Sequence, residues 1–524
     1  MWENISNSSI IFSRNFYKQK ESNIYKNNVF INKLYNYFVN QGYFNIISKQ
    51  IINILISTFL ISYMIFLINC INYRKIITLD NHEYIHNFIE LNNFFNMNMF
   101  LWVSSIIFML FTLVNIISIF EDIIVYNHIK NYYNKTLGIN DIDLKYLKWE
   151  SIIQKINENS NDDINIFYLN NIINSKNNLL INLFDNNIIK LNHLTSIMEW
   201  NLIYCILFSI FDNNFKFKKD IFSKKQKLVD SIIYRIKVIS IINFILMPFI
   251  LTFIFFYNIF NYGEEYYNNP SLIFSRIFSR KAYWKIRYYN ELDHEFNERI
   301  NKAIIVSSKY ANLFSNVLLD SLLRLVVFIC SSVFIVLAIL SLVNDKILIY
   351  LLITKNQSVL WLLGLLVSII ALSRKKNKIE DPKEVMEEIT KYIIVEDDIK
   401  NNPNIVKYKN KFLKMFQYKL IEICKDIVYT IISPFELWLL SFNIDNVIDH
   451  IEDNIESHYE LEYIFSPSNL EKIYLLNDEY DYTINDAKTI DSLIYFKKKY
   501  NEWTGNMNNN IYGFNKNVNI NVIN

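Results

Sequence analysis

Two short spacings in this sequence could hold a metal. His82-Glu83-Tyr84-Ile85-His86 matches H-E-x-x-H. On a helix that spacing sets two imidazoles on one face for zinc, with the glutamate (Glu83) as general base. Glu291 and His294 form half of a di-iron carboxylate pattern, which needs a second E-x-x-H and two further glutamates projecting into a bundle. Neither goes further. No third zinc ligand follows His86 at a usual spacing, no clear amphipathic helix carries the motif, and no second E-x-x-H is present. The first therefore reads as a chance match in a loop and the second as the charged surface of a helix. Cys70, Cys205, Cys330 and Cys424 lie in apolar stretches without C-x-x-C spacing and read as small core residues. With 6 Gly the chain holds no Gly-rich phosphate loop, and there is no nucleophile elbow, so an ATP-driven pump is excluded. No cofactor and no metal are expected.

The elements that would position any site are set by long uncharged runs. Of the 524 residues, 52% are hydrophobic and 16% aromatic, and the apolar ones are bunched. A spanning helix needs about 20 mostly apolar residues. Ile51 to Cys70, Phe100 to Phe120 and Leu325 to Val343 qualify, and Ser358 to Leu372 is a shorter fourth, anchored at Trp361. Trp200 to Phe211 is too short to cross and is expected to be a partly inserted helix. Ile427 to Phe442 is interrupted by Pro434 and Glu436. Met1 to Gln41 carries no secretory signal pattern, so the first run is expected to stay as an anchor.

Charge orients these runs. Arg14, Lys18, Lys20, Lys26, Lys33 and Lys49 precede the first, and Arg374, Lys375, Lys376 and Lys378 follow the fourth. The positive-inside rule puts both termini in the cytosol and residues 72–99 in the lumen. Val238 to Tyr262 is also uncharged, but strongly basic segments lie on both sides of it. It should enter the membrane and return, with Pro248 as the break. The bases total 53 and the acids 51, a balance that does not suggest a nucleic-acid partner. The tail from Ile444 to Glu462 has apolar residues at helical spacing, and from Leu475 on a loosely ordered end is expected.

The segment Lys227 to Phe314 resembles the core of the autophagy-related protein 9 family. The residues that carry this are R-I-K-V-I-S-I-I-N-F-I-L-M-P-F-I-L (Arg235 to Leu251), Y-Y-N-E-L-D-H-E-F-N-E-R-I-N (Tyr288 to Asn301) and S-K-Y-A-N-L-F (Ser308 to Phe314). A second block runs F-L-K-M-F-Q-Y-K-L (Phe412 to Leu420) to S-P-F-E-L (Ser433 to Leu437). Ile305-Val306 and Lys425-Asp426 depart from the family's pattern. The resemblance implies a domain-swapped homotrimer with four spanning helices and further partly inserted ones per protomer. It implies an ATP-independent phospholipid scramblase on Golgi- and endosome-derived vesicles and the phagophore membrane, working beside the lipid-transfer protein autophagy-related protein 2.

The fold expected is thus an all-α membrane protein in six parts. They are a cytosolic N-terminal segment (1–45), two transmembrane helices with a lumenal loop (46–125) and a cytosolic region with half-inserted and re-entrant helices (126–316). Two more transmembrane helices (317–373), cytosolic helices with a second re-entrant segment (374–465) and a loosely ordered tail (466–524) follow. Membrane phospholipid is the expected substrate. The F-K-F-K-K-D-I-F-S-K-K-Q-K stretch lies between inserted segments, so Lys218, Lys219, Lys224, Lys225, Lys227 and Arg235 are expected to meet lipid phosphates first, each worth about 1 kcal/mol at the surface. Arg299, Lys302 and Arg324 would do the same deeper in, and Pro248 and Pro434 would break the inserted helices. The competing functions are a trimeric scaffold without activity and, from His82 and His86, a zinc protease.

Overall fold

An uncharged run has to satisfy its backbone internally in lipid, and helices do so. The computed structural model describes residues 28–77, 88–90, 98–159, 165–212, 214–218, 220–268, 275–314, 317–343, 352–354, 357–371, 381–395, 406–458, 461–475, 484–500 and 503. Its first helix, α1 (Asn28–Val39), turns into α2 (Tyr43–Ile65) through Gly42. Gly42 has φ +107° and a Cβ there would lie 2.7 Å from Asp141 Cγ, so only glycine fits. A π-helical turn, Phe66–Cys70, extends α2. α3 (Met99–Lys135) packs along α2. Its 37 residues span about 56 Å at 1.5 Å per residue, more than a hydrocarbon core of about 30 Å. The excess enters the folded layer, where Val125, Tyr126, Ile129 and Tyr133 are buried, while Met109, Leu113, Ile117 and Phe120 face outward.

That layer is built from α4 (Trp149–Asn159), α5 (Ile166–Asp185) and the helical stretch opened by α6 (Ser196–Leu202). α7 (Lys225–Asn268) follows, then β1 (Arg276–Phe278), α8 (Arg280–Ile286) and α9 (Asp293–Leu313). α10 (Val317–Val343) packs on α11 (Val359–Ala371), with the short strands β2 (Leu352–Thr354) and β3 (Gln357–Ser358) between them. After α12 (Pro382–Thr390) and α13 (Val406–Met415), strand β4 (Phe416–Tyr418) pairs antiparallel with β1 and leads into α14 (Lys419–Leu440). α15 (Ile444–Asp453), the hairpin β5 (Ile455–His458) to β6 (Glu462–Phe465) and α16 (Ile484–Lys499) complete the chain. Among the described residues, four helical stretches are long and apolar enough to cross a membrane: Tyr43–Cys70, Met99–Lys135, Lys225–Gly263 and Lys419–Asp453. The protein is an all-α membrane protein.

Several expectations need correction. Val238 to Tyr262 is not broken at Pro248, and Ile427 to Phe442 is not broken at Pro434; both prolines sit inside uninterrupted helices. α7 and α14 run antiparallel and support each other, with Lys419 on Glu265 at one end and the Ser240 hydroxyl donating to the Pro434 carbonyl further along. Pro434 leaves the Thr430 carbonyl without its usual amide, and the Ser433 hydroxyl donates to it instead at 3.0 Å. Trp200 to Phe211 is packed on protein along one side, with Tyr204 left exposed. Leu202, Cys205, Ile206, Leu207, Ile210 and Phe211 are buried against α5, the start of α7 and α15. The helix predicted over Ile444 to Glu462 stops at Asp453, because β5 and β6 close a hairpin beyond it.

The tail is also more ordered than composition suggests. Leu493, Phe496, Tyr500 and Trp503 dock into the core around α1, α4 and α5. Their 3–4 spacing was hidden among Asn, Asp and Lys. His82, Glu83 and His86 lie outside the described residues.

Candidate functional site

The N-E-L-D-H-E motif is a structural hub rather than a charged surface. Glu291 and Arg299 are both buried, and the guanidinium makes two 2.7 Å hydrogen bonds to the carboxylate, one from Nε and one from Nη2. Nη1 donates to the Tyr392 carbonyl and Nη2 also to that of Ile286 at 3.2 Å. Arg299 therefore ties α9 to α8 and the end of α12, and is not placed to meet a lipid phosphate. Asn290, in the left-handed region at φ +58°, is fully buried. Its side chain accepts from Asn178 and Asn171 and donates to the Ser468 carbonyl. Asn170, Asn171, Asn174, Asn178 and Asn182 form a buried polar stripe on α5 that holds this turn. His294 Nδ1 lies 2.9 Å from the Tyr35 hydroxyl, and burial pushes its pKa down to about 4.

The other predicted bases divide. Lys218 donates to the Phe208 and Ser209 carbonyls at 2.9 and 3.1 Å, capping the end of the α6 stretch. Arg235 reaches the Ser209 hydroxyl at 3.0 Å, so these two converge. Lys225 bridges to Asp449 and Glu452 on α15. Lys224 and Lys227 are exposed beside it. Lys302 is exposed on α9 and pairs with Glu298 at 2.7 Å. Arg324 is exposed on α10, well apart in sequence and element from the rest. Lys219 lies outside the described residues.

The arrangement most able to handle an amphiphile lies on α14. Leu420, Ile421, Val428, Ile431, Ile432, Phe435 and Leu439, with Phe442 just beyond the helix, leave one face apolar and exposed. The other face carries Glu422, Asp426, Thr430, Ser433 and Glu436, at spacings of 4, 4, 3 and 3. This polar stripe meets the folded layer. His193 Nε2 lies 2.9 Å from Asp426 Oδ1 and 3.9 Å from Glu422 Oε2. Asn192 donates to Glu436 at 3.3 Å. Ser240 and Asn243 of α7 are buried nearby in the helix pair. Glu422 Oε1 and Asn243 Nδ2 are buried with no hydrogen-bond partner among the described residues. A polar seam thus runs along the layer-facing side of α14, behind its exposed apolar face. The residue types stand at helical spacing in the sequence, but Pro434 and Glu436 interrupt the apolar run, so the stripe has no signal in local hydropathy.

The chain ends of α7 bear on topology. Lys225 meets α15, whose Ile448 and Ile451 belong to the same buried cluster as Leu179 of α5. Beyond the other end, Arg280 lies 3.6 Å from Glu199 and Lys281 donates to the Leu191 carbonyl at 2.9 Å. Both flanks of the apolar run return to one folded layer.

A folded layer carrying long apolar helices, with a polar seam along one of them, defines a polytopic helical membrane protein. The family model for autophagy protein ATG9 matches residues 19–466, and the chain belongs to that family. It is 27% identical over 463 residues to an autophagy-related protein 9 of Kluyveromyces lactis, covering 82% of this chain and 51% of that one. It is 26% identical to the autophagy-related protein 9 of Dictyostelium discoideum, covering 78% of this chain and 61% of the relative. The chain spans about half the length of the curated relatives it matches first, 51% and 45% of them. The cryo-EM structure of Schizosaccharomyces pombe Atg9 aligns with TM-score 0.64 at 21% identity, covering 84% of this chain and 98% of that one. That likeness is one of fold.

Proposed function

We propose that the chain is an ATP-independent phospholipid scramblase of autophagosome formation that equilibrates lipid between leaflets. The observation that carries this is the α14 seam: a polar stripe from Glu422 to Glu436 held beside an exposed apolar face. A phospholipid crosses a bilayer slowly because its headgroup must enter hydrocarbon. A groove that solvates the headgroup while the tails stay in lipid removes that barrier without chemical energy. Lys224, Lys227 and Arg324 remain candidates for phosphate contact at the surface, with Lys218, Lys225 and Arg235 behind them. We further propose a homotrimer. The apolar faces of α10, among them Leu325, Phe328, Ile329 and Val336, are exposed in the single chain and are available to neighbouring copies as well as to lipid.

The setting proposed is Golgi- or endosome-derived vesicles and the phagophore membrane, with both termini cytosolic and autophagy-related protein 2 as a partner. The test is a liposome assay with labelled lipid and an outside-only quencher, without ATP. Reconstituted protein should expose nearly all the label, against about half in protein-free liposomes. Protection of the inner leaflet by correctly folded protein would replace this function with a scaffold that recruits lipid-transfer partners.

A further inference from the structure

The first half of α14 joins three features that are each incomplete alone. On its outer side Leu420, Ile421, Cys424, Lys425, Val428 and Tyr429 line a shallow apolar recess, wide open to its surroundings. Lys425 and Tyr429 form its inner edge, one and two helical turns beyond Ile421. Just behind that edge stand Glu422 and Asp426, on the side that faces His193. The Tyr429 ring lies 5.1 Å from the His193 ring, so the aromatic surface reaches from the recess to the carboxylates. The Glu422 side chain is 8% exposed, and among the described residues its Oε1 accepts no hydrogen bond; Lys425 Nζ is 3.9 Å away. Both of its oxygens thus have only long ion-pair contacts, Lys425 on Oε1 and His193 on Oε2 at 3.9 Å each, which leaves room for a closer donor.

We propose that this half-helix is a phospholipid subsite that recognises amine-bearing headgroups. The ammonium of choline or ethanolamine lies against Glu422 and Asp426 with the Tyr429 ring beside it. The phosphate meets Lys425, and one acyl chain lies along the recess. The order along the site, carboxylate, lysine, apolar recess, is the order of charge along a zwitterionic lipid. A carboxylate attracts either amine, an aromatic face adds to the quaternary one, and an anionic headgroup without an amine meets like charge. The inference rests on the scramblase reading only in supposing that lipid reaches α14, and binding can be measured apart from transport.

The experiment uses the full chain. In detergent, native mass spectrometry reads adducts formed with equal amounts of phosphatidylcholine, phosphatidylethanolamine and phosphatidylglycerol. The first two should bind about tenfold more tightly, the scale of one charge-assisted contact. The E422Q/D426N double variant should lose the preference while keeping phosphatidylglycerol binding. Lys425→Gln should weaken all three alike, and Tyr429→Leu should weaken phosphatidylcholine most. Equal binding of all three lipids to the native protein, or a preference that survives E422Q/D426N, overturns the proposal. If the double variant fails to fold, the Lys425→Gln and Tyr429→Leu patterns decide. Acyl-chain-labelled lipids, whose amines remain free, then report transport in liposomes. A preference in binding with no transport of any lipid removes the scramblase and leaves the subsite. Transport of all three lipids without a binding preference does the reverse.

Discussion

Arg299 and Glu291 show how a residue's neighbours decide its role. A charged pair with side chains 8% and 0% exposed is strongly destabilising to break, because the surviving charge stays buried. Arg299→Ala should therefore lower stability by about 3–5 kcal/mol. Thermal unfolding in detergent should show it for lipid-free protein, before any lipid movement is measured. Lys302→Gln, at an exposed pair on the same helix, should leave the melting temperature unchanged. A folded Arg299→Ala with impaired lipid movement would instead return Arg299 to the lipid path.

At the scale of elements, α14 and α16 make separate predictions. Since α14 continues through Pro434, Pro434→Ala restores an amide to the Thr430 carbonyl and should leave the helix intact. Its melting temperature should hold or rise, and lipid movement should persist; loss of movement in a stable variant would mean that the ring itself is needed. α16 is held partly by the Tyr500 hydroxyl, which donates to Glu295 at 2.7 Å and accepts from Asn170 at 3.0 Å. Burial pushes the Glu295 carboxyl up from 4.5 to about 7, with Glu291 adding and Tyr500 and Lys499 opposing. His294 stays neutral over that range and Arg299 stays charged on Glu291. The raised value means the folded state holds the proton more tightly than the unfolded one. The stabilisation is full below about 4.5 and is lost as pH rises through about 7. Amide protection in α16, corrected for the base-catalysed intrinsic rate, should be higher at pH 6 than at pH 8, and Glu295→Gln should flatten the difference.

For the whole molecule, the question is which side each flank of α7 occupies. Single cysteines at Lys224 and Lys285, in a variant without Cys70, Cys205, Cys330 and Cys424, should react with an impermeant thiol reagent from the same side of sealed vesicles. Lys224 is exposed and Lys285 half-buried, so the second will react more slowly. Reaction from opposite sides would make α7 a full span, which its length and composition alone allow.

The sequence by itself determined the class of protein and most of its helices. Uncharged runs of this length have one stable form in lipid, so Ile51 to Cys70 and Phe100 to Phe120 could be read directly. The family blocks around Asn290 and Gln417 were legible because they are side-chain patterns. What only the tertiary structure decided was the fate of residues whose energies depend on distant partners. Pro434 is tolerated because Ser433 and Ser240 serve the carbonyls around it. Arg299 turns inward because Glu291, Tyr392 and Ile286 converge on it. The short run at Leu202 to Phe211 is apolar because protein covers it. Glu422 and Asp426 gain meaning from His193, more than 200 residues away in sequence. Local spacing fixes backbone periodicity, but burial and pairing of polar groups are set by contacts that no short window contains.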